Sequence, residues 1–409
     1  MARHADVPQF GPLQGVKVAH SAISVAGPFA AQMMADLGAD VIWIENSRFP
    51  DIARGMDGKG LTVDADRRNS RTIALNVPTP EGHEIFRRLV AELDIFIEAS
   101  KPGQWAKWGW TDEALWEVNP KLVIAHISGY GQTGDAQYQG RASYDPVAQA
   151  FGGLMAVNGT TELPSFPVVP YVADYYSGMF TAFACLAAHH AVGRTGRGES
   201  IDVAQYEAVA RTLGNLGMDA WNGVAPTTKK LVQNGDTAGY NTYRCADGNE
   251  VFMLVLGPGV VAAAVPLFGL EYGGELFPEG SFRVGVDSPA GVALEAAIVE
   301  FCAAHPAQEV EDILSAQGVP CSTVLRPEDQ GANPQFVARE SLIRYPSAFG
   351  DTVVAPNVVP RLTRNPGRVW RSGPSVGQDS ADILADLGFG PDDVARFAEV
   401  KAVRLGKQH

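Results

Sequence analysis

Short apolar runs alternate with amphipathic stretches along the first third of the chain, and this alternation most narrows the folds open to it. Residues 16–20, 41–45, 72–77, 95–99 and 122–127 read as strands, and 29–37, 81–93 and 112–118 carry the helical spacing, with Gly38 as a helix stop. Strands separated by amphipathic helices imply βαβ units and a parallel sheet. Val41-Ile-Trp-Ile44 and Leu122-Val-Ile-Ala125 are apolar without interruption. Strands covered by helices on both faces have that pattern, so the fold class is α/β with a parallel sheet.

A long Ala- and Gly-rich helix is expected over 173–190, a loop at 194–198 and a helical stretch over 208–221. A polar linker follows, at 223–239. The character then changes. Residues 240–256 read as a hairpin turned at Asp247-Gly248, and 290–305 and 308–317 as helices, giving a small α/β domain over 240–330. A second linker is placed at 331–345. From 346 the chain is rich in Pro, Asn and Arg and reads as extended chain over another surface, ending in a helix at 380–387.

Composition removes several function classes. The 409 residues carry a formal charge of −14, which argues against broad binding to nucleic acid or to an anionic membrane surface. No apolar stretch is long enough to span a bilayer, and the first ten residues have no apolar signal core. Cys185, Cys245, Cys302 and Cys321 are scattered without a C-x-x-C pair, which fits reduced thiols in the cytoplasm. The segment Ser21-Ala-Ile-Ser-Val-Ala-Gly-Pro28 lacks the dinucleotide glycine fingerprint. There is no P-loop and no G-x-S-x-G elbow. The 8 histidines form no zinc pattern, and the adjacent His189 and His190 point apart on a helix, so no metal is expected.

One carboxylate stands out. Asp174 lies in Tyr171-Val-Ala-Asp174-Tyr-Tyr-Ser-Gly178, at the start of an apolar helix after a Pro-rich loop. Two readings fit. Asp is a favoured helix cap and suits the helix dipole. Alternatively Asp174 is a nucleophile, kept ionised by the dipole and exposed to a ligand, with three tyrosines limiting water around a reactive intermediate.

The Asp174 segment, with Ser128-Gly-Tyr-Gly-Gln132, Tyr144-Asp-Pro-Val-Ala-Gln-Ala150 and Thr195-Gly-Arg-Gly-Glu-Ser-Ile-Asp202, resembles the class III CoA-transferases (the CaiB/BaiF family). Gly38-Ala-Asp-Val-Ile-Trp-Ile-Glu-Asn46, Ile95-Phe-Ile-Glu-Ala-Ser-Lys101, Asn119-Pro-Lys-Leu-Val-Ile-Ala-His126, Asn333-Pro-Gln-Phe-Val-Ala-Arg-Glu-Ser341 and Asn365-Pro-Gly-Arg-Val-Trp370 are similar to its carnitine branch. The resemblance runs from about residue 10 to near the end of the sequence.

It implies reversible transfer of CoA from an acyl-CoA to a free carboxylic acid through an anhydride and a thioester on Asp174. No permanently bound cofactor is implied; CoA and acyl-CoA are substrates. It further implies a large CoA-binding domain with a Rossmann-like sheet, assembled from 1–222 and a returning segment, 346–409, and an interlocked homodimer. Ala26, Asn46, Asn76 and Lys101 match positions of the family's CoA cleft. Lys107-Trp108 stands where the carnitine enzymes tend to have two arginines, so a point charge and an adenine-stacking surface replace guanidinium forks. Arg67, Arg68 and Arg71 form a further basic group.

Tyr144 separates two chemistries. The related α-methylacyl-CoA racemases carry Gly-His-Asp where this chain has Ser143-Tyr144-Asp145. A phenol, with an ordinary pKa of about 10, is a poor acid/base group at neutral pH, so Tyr144 argues for transfer. A non-catalytic CoA-binding protein remains the alternative from another class, and the presence of Asp174 speaks against it. For acids of the carnitine type, whose quaternary ammonium is held by aromatic faces and acidic charge, the candidates are Tyr175, Tyr176, Trp221, Tyr240 and Tyr243, with Asp219.

Overall fold

The computed structural model describes residues 7–55, 60–229, 235–348 and 350–406. It falls into two units, one drawn from 1–156, 166–227 and 339–409, the other from 157–165 and 228–338. The expected linker at 223–239 lies partly outside the described residues, at 230–234.

The larger unit starts with the five expected strands: β1 (Lys17–Ser21), β2 (Asp40–Glu45), β3 (Arg71–Leu75), β4 (Ile95–Glu98) and β5 (Val123–Ser128). Every residue of β2, β3 and β4 is buried, which is why Val41-Ile-Trp-Ile44, Ile73-Ala-Leu75 and Ile95-Phe-Ile97 are apolar without a break. Between them run α1 (Ala26–Asp36), α2 (Leu61–Arg67), α3 (Pro80–Val90), α4 (Gln104–Lys107) and α5 (Asp112–Val118). Threonine hydroxyls set two helix starts: Thr79 accepts the Gly82 N–H at 3.1 Å and Thr111 the Ala114 N–H at 3.2 Å. Next come α6 (Asp145–Phe151), α7 (Leu154–Val157), α8 (Val172–Thr195), β6 (Ser200–Ala204), α9 (Gln205–Thr212) and α10 (Gly214–Trp221). The helix expected over 208–221 is thus two, broken where Gly214 takes a φ of 58°.

The smaller unit holds the expected hairpin, β7 (Tyr240–Arg244) and β8 (Glu250–Leu254), with Gly248 at a φ of 80° in the turn. Helices α11 (Pro258–Leu267), α12 (Pro289–Ala304) and α13 (Ala307–Ala316) pack on it, and β9 (Cys321–Thr323) adds the third strand. Its core includes Val251, Met253, Leu294, Ile298, Val310 and Leu314. Two short helices follow, α14 (Pro327–Gln330) and α15 (Pro334–Ala338).

Where the sequence suggested linker and extended chain, β10 (Leu342–Pro346) and β11 (Thr352–Pro356) form an antiparallel pair. The segment beyond it lies on the chain's own larger unit: the Arg368 N–H donates to Asp36 O at 2.9 Å and the Gly373 N–H to Asp64 Oδ1 at 2.9 Å. Helices α16 (Ser380–Asp386) and α17 (Pro391–Glu399) lead to β12 (Val403–Arg404), which pairs antiparallel with β3. The sheet order is β12-β3-β2-β1-β4-β5-β6, with β1 to β6 mutually parallel. The winding reverses between β1 and β4, the place where doubly wound sheets open a crevice at the strand carboxyl ends.

Arg67, Arg68 and Arg71, read from the sequence as a basic group for a ligand, are buried in ion pairs instead. Arg67 pairs with Asp51 at 2.5 Å, Arg68 with Asp36 at 2.6 Å, and Arg71 with Asp40 at 3.0 Å and Asp386 at 2.7 Å. A guanidinium taken out of water needs such a partner. Among the described residues, no helix is long and apolar enough to cross a membrane.

Candidate active site

A cleft of about 350 Å³ opens at the carboxyl ends of β1, β2, β4 and β5. Asp174 lines it from the third residue of α8. The helix cap is Tyr171, not Asp174, so the capping reading of Asp174 fails. The first turn is held from outside: Asp145, at the start of α6, accepts the Ala173 N–H at 2.8 Å. Gln149, one turn along α6, donates to Asp145 at 2.7 Å and to Val168 O at 2.8 Å, and its own carbonyl accepts the Val168 N–H at 2.8 Å. The Pro-rich loop and the helix start are therefore fixed by the same helix.

Asp174 is 4% exposed and accepts a hydrogen bond from the Gln205 side chain, the first residue of α9. Burial, then the neighbouring Asp145 charge, push its carboxyl up to about 7, with Gln205 pulling the other way. A carboxylate kept ionised by the helix dipole was the expectation; lost hydration and like charge instead raise it toward neutrality. Asp66 of α2 adds to the repulsion and is itself raised by burial to about 6. The Tyr175 hydroxyl lies 3.5 Å from Asp66, and its ring meets Phe29 edge-on at 4.7 Å.

The cleft brings together Ala26, Asn46, Lys101, Trp108, Tyr144 and Asp174. Asn46 Oδ1 accepts the Arg48 N–H at 2.9 Å and the Phe49 N–H at 3.1 Å, shaping the loop after β2. Trp108 is half-buried with its ring centroid 5.2 Å from Trp105. Tyr144 is exposed at the start of α6.

Asn76 and Lys107 are not among the lining residues. Asn76 is buried in the turn after β3, where its N–H donates to Ala402 O at 2.7 Å. Lys107 ends α4 on the exposed side, while the next residue turns toward the cleft. Tyr243 belongs to the core of the smaller unit, its hydroxyl 2.9 Å from Glu295, so it is not an open aromatic face. Gly152 is a packing position: a Cβ there would meet Val209 at 2.6 Å.

Sequence reasoning passed over Gln205, the Asp145–Gln149 pair and Arg141, a second cation lining the cleft. Gln205 had a signal. It directly follows Val203-Ala204, the apolar end of β6, and polar residues just past a strand's carboxyl end face the crevice in α/β sheets. Among the described residues, no group of three or more His, Cys, Asp and Glu side chains is arranged to hold a metal.

A doubly wound sheet, a crevice at its strand ends and a buried carboxylate at a helix start define an α/β protein with a ligand-sized cleft. The model of CoA-transferase family III matches residues 13–380. A CAIB/BAIF family protein from Brucella suis is 30% identical, with a TM-score of 0.79 over 93% of this chain and 100% of that one. Rv3272 from Mycobacterium tuberculosis, 23% identical with a TM-score of 0.78 over 92% and 100% of the two chains, shares the fold. The chain belongs to CoA-transferase family III and is a class III CoA-transferase.

Proposed function

We propose that Asp174 carries both acyl group and CoA in a transfer between an acyl-CoA and a small carboxylic acid of the carnitine, crotonobetaine and γ-butyrobetaine type. The observation that carries this reading is the Asp174 carboxylate itself, raised to about 7 and lining the same cleft as Lys101 and Arg141. Lys101 and Arg141 suit the phosphates of CoA, and Trp108 suits its adenine.

In the first step a carboxylate oxygen of Asp174 attacks the thioester carbonyl, the C–S bond breaks, and a mixed anhydride and CoA thiolate result. The thiolate then attacks the aspartyl carbonyl, and the first acid leaves as its carboxylate. An aspartyl-CoA thioester remains. The acceptor carboxylate attacks that thioester and displaces the thiolate, which takes the acceptor's acyl group and restores Asp174. Each step exchanges one activated acyl bond for another, so no redox or metal group enters. Partial desolvation of Asp174 raises its basicity, and a more basic carboxylate is a better nucleophile once ionised. Gln205, donating to the oxygen, orients it and is placed to steady charge that develops on the aspartyl carbonyl.

The acidic surroundings of Asp174, with Asp145 and Asp66 beside it and the Tyr175 ring on the same helix, support an acid with a cationic quaternary ammonium. Exposed Phe183 and Trp221 on the larger unit support a homodimer, and four free thiols support a reducing cytoplasmic setting. The test is exchange between butyrobetainyl-CoA or crotonobetainyl-CoA and free L-carnitine, followed by mass spectrometry. Carnitinyl-CoA forms with the wild type and not with Asp174→Ala. Product from that variant would rule out the nucleophile; no product from either protein would rule out carnitine as the acid.

A further inference from the structure

A row of charged side chains along a second pocket connects the sheet to one of the cleft loops. Glu98 ends β4 and stands in register beside His126 of β5. His126 Nδ1 lies 2.7 Å from Glu98 Oε1, and Nε2 lies 2.9 Å from Asp112 Oδ1 at the start of α5. Carboxylates at both ring nitrogens require both to donate, which makes the ring an imidazolium. Burial opposes that charge, but the hydrogen bonds to Asp112 and Glu98 outweigh it and push His126 up to about 10. The second Asp112 oxygen accepts the Ser200 hydroxyl at 2.6 Å, so that end of the row is tied to β6.

The other end leads to the cleft. Glu98 Oε2 accepts the Ser100 N–H at 2.7 Å. The Ser100 hydroxyl accepts the Trp105 indole N–H at 3.3 Å, and the Trp105 ring meets Trp108 edge-on. Ser100, Lys101, Pro102 and Trp108 all line the cleft. Glu98 is 3% exposed, and His126 supplies the partner that a carboxylate so buried needs.

We propose that His126 is a positioning residue for acyl-CoA: by clamping Glu98 it fixes the turn that carries Ser100 and Lys101, and with it Trp108, in the cleft. The inference rests on reading the cleft as the CoA site. A residue that only held the fold together would, when replaced, lower stability and leave the affinity of the folded protein alone. A positioning residue acts on affinity, and on KM more than on kcat, because the reacting carboxylate sits on another element.

The experiment is calorimetric titration of the full-length protein with CoA, with steady-state kinetics at varied acyl-CoA, for wild type, His126→Gln, Glu98→Gln and Lys101→Ala. His126→Gln and Glu98→Gln raise Kd for CoA and KM for acyl-CoA by about tenfold or more, while kcat falls by less than about threefold. Glu98→Gln carries the test if His126→Gln does not fold, since His126 and the Ser100 N–H donate to separate Glu98 oxygens and the amide nitrogen would face one of them. Unchanged Kd in these variants, with lowered melting temperatures, overturns the proposal. If Lys101→Ala weakens CoA while His126→Gln and Glu98→Gln do not, the clamp alone fails. If Lys101→Ala also leaves Kd unchanged, the reading of the cleft fails and takes the clamp with it.

Discussion

Asp145 accepts the Ala173 N–H at 2.8 Å, so the helix turn that presents Asp174 is capped by a carboxylate from α6. The same carboxylate acts on Asp174 at a distance. It satisfies an orphan donor of the helix start while raising the proton affinity of the neighbouring acid.

The first prediction concerns pH and rate. Transfer requires ionised Asp174, whose carboxyl is raised to about 7. Below that value kcat/KM for acyl-CoA falls about tenfold per pH unit, and above it the profile is level. Asp145→Asn removes a like charge and moves the limb to lower pH. Gln205→Leu removes a donor to the carboxylate and moves it to higher pH.

Stability should run the other way. Between the ordinary value of 3.8 and about 7 the native protein holds a proton on Asp174 that the unfolded chain has released, so native stability drops as pH rises through that window. Asp174→Asn removes the buried charge. Urea denaturation is expected to find this variant more stable than wild type by about 1–4 kcal/mol at pH 8 and nearly equal to it at pH 4.

His126 has the opposite linkage. Its raised value means that the stabilisation from its charge is complete below about 6.5 and is lost as pH rises through about 10. Denaturation midpoints of His126→Gln should therefore vary less than those of wild type between pH 7 and 10. A parallel slope for the two proteins would contradict an imidazolium at this position.

The two lysines on the α4 loop should separate by position. Lys101 lines the cleft and Lys107 does not. Lys101→Ala is expected to raise KM for acyl-CoA about three- to tenfold, a modest effect because the side chain is exposed and screened. Lys107→Ala should leave it within about twofold.

Gly152 tests the packing that supports the site. A methyl at this position would approach Val209 at 2.6 Å and Tyr206 O at 2.8 Å, between the helices that bear Asp145 and Gln205. Gly152→Ala should cost about 1–3 kcal/mol in urea denaturation. An unchanged midpoint would mean that the helices part without strain.

The strands β1 to β5 were legible because burial on both faces leaves each a run of apolar residues, such as Val41-Ile-Trp-Ile44 and Ile95-Phe-Ile97. β6 was not: it lies at the sheet edge, and Ser200-Ile-Asp-Val-Ala204 mixes polar residues with apolar ones. Helix α11 contains Pro266 and is apolar almost throughout, so it lacks the helical period. In the site, Asp174 was marked by its local motif. Gln205 and Asp145 reach the same helix turn from 31 and 28 residues away, a relation that only the fold creates. The misread arginines make the same point, since the Asp386 partner of Arg71 is 315 residues distant.

The order in which the chain is made has a consequence for β3. Its free side is covered by β12, the Thr72 N–H donates to Asp379 at 2.9 Å, and Arg71 pairs with Asp386. During synthesis the first half of the sheet therefore emerges with an open strand edge and with Arg71 holding Asp40 but not yet its second counterion, Asp386. The larger unit can close only after residues 379–404 have left the ribosome, whereas most of the smaller unit is one continuous stretch, 228–338, free to fold earlier. Nascent chains stalled before this point are the form most exposed to aggregation and most in need of a chaperone.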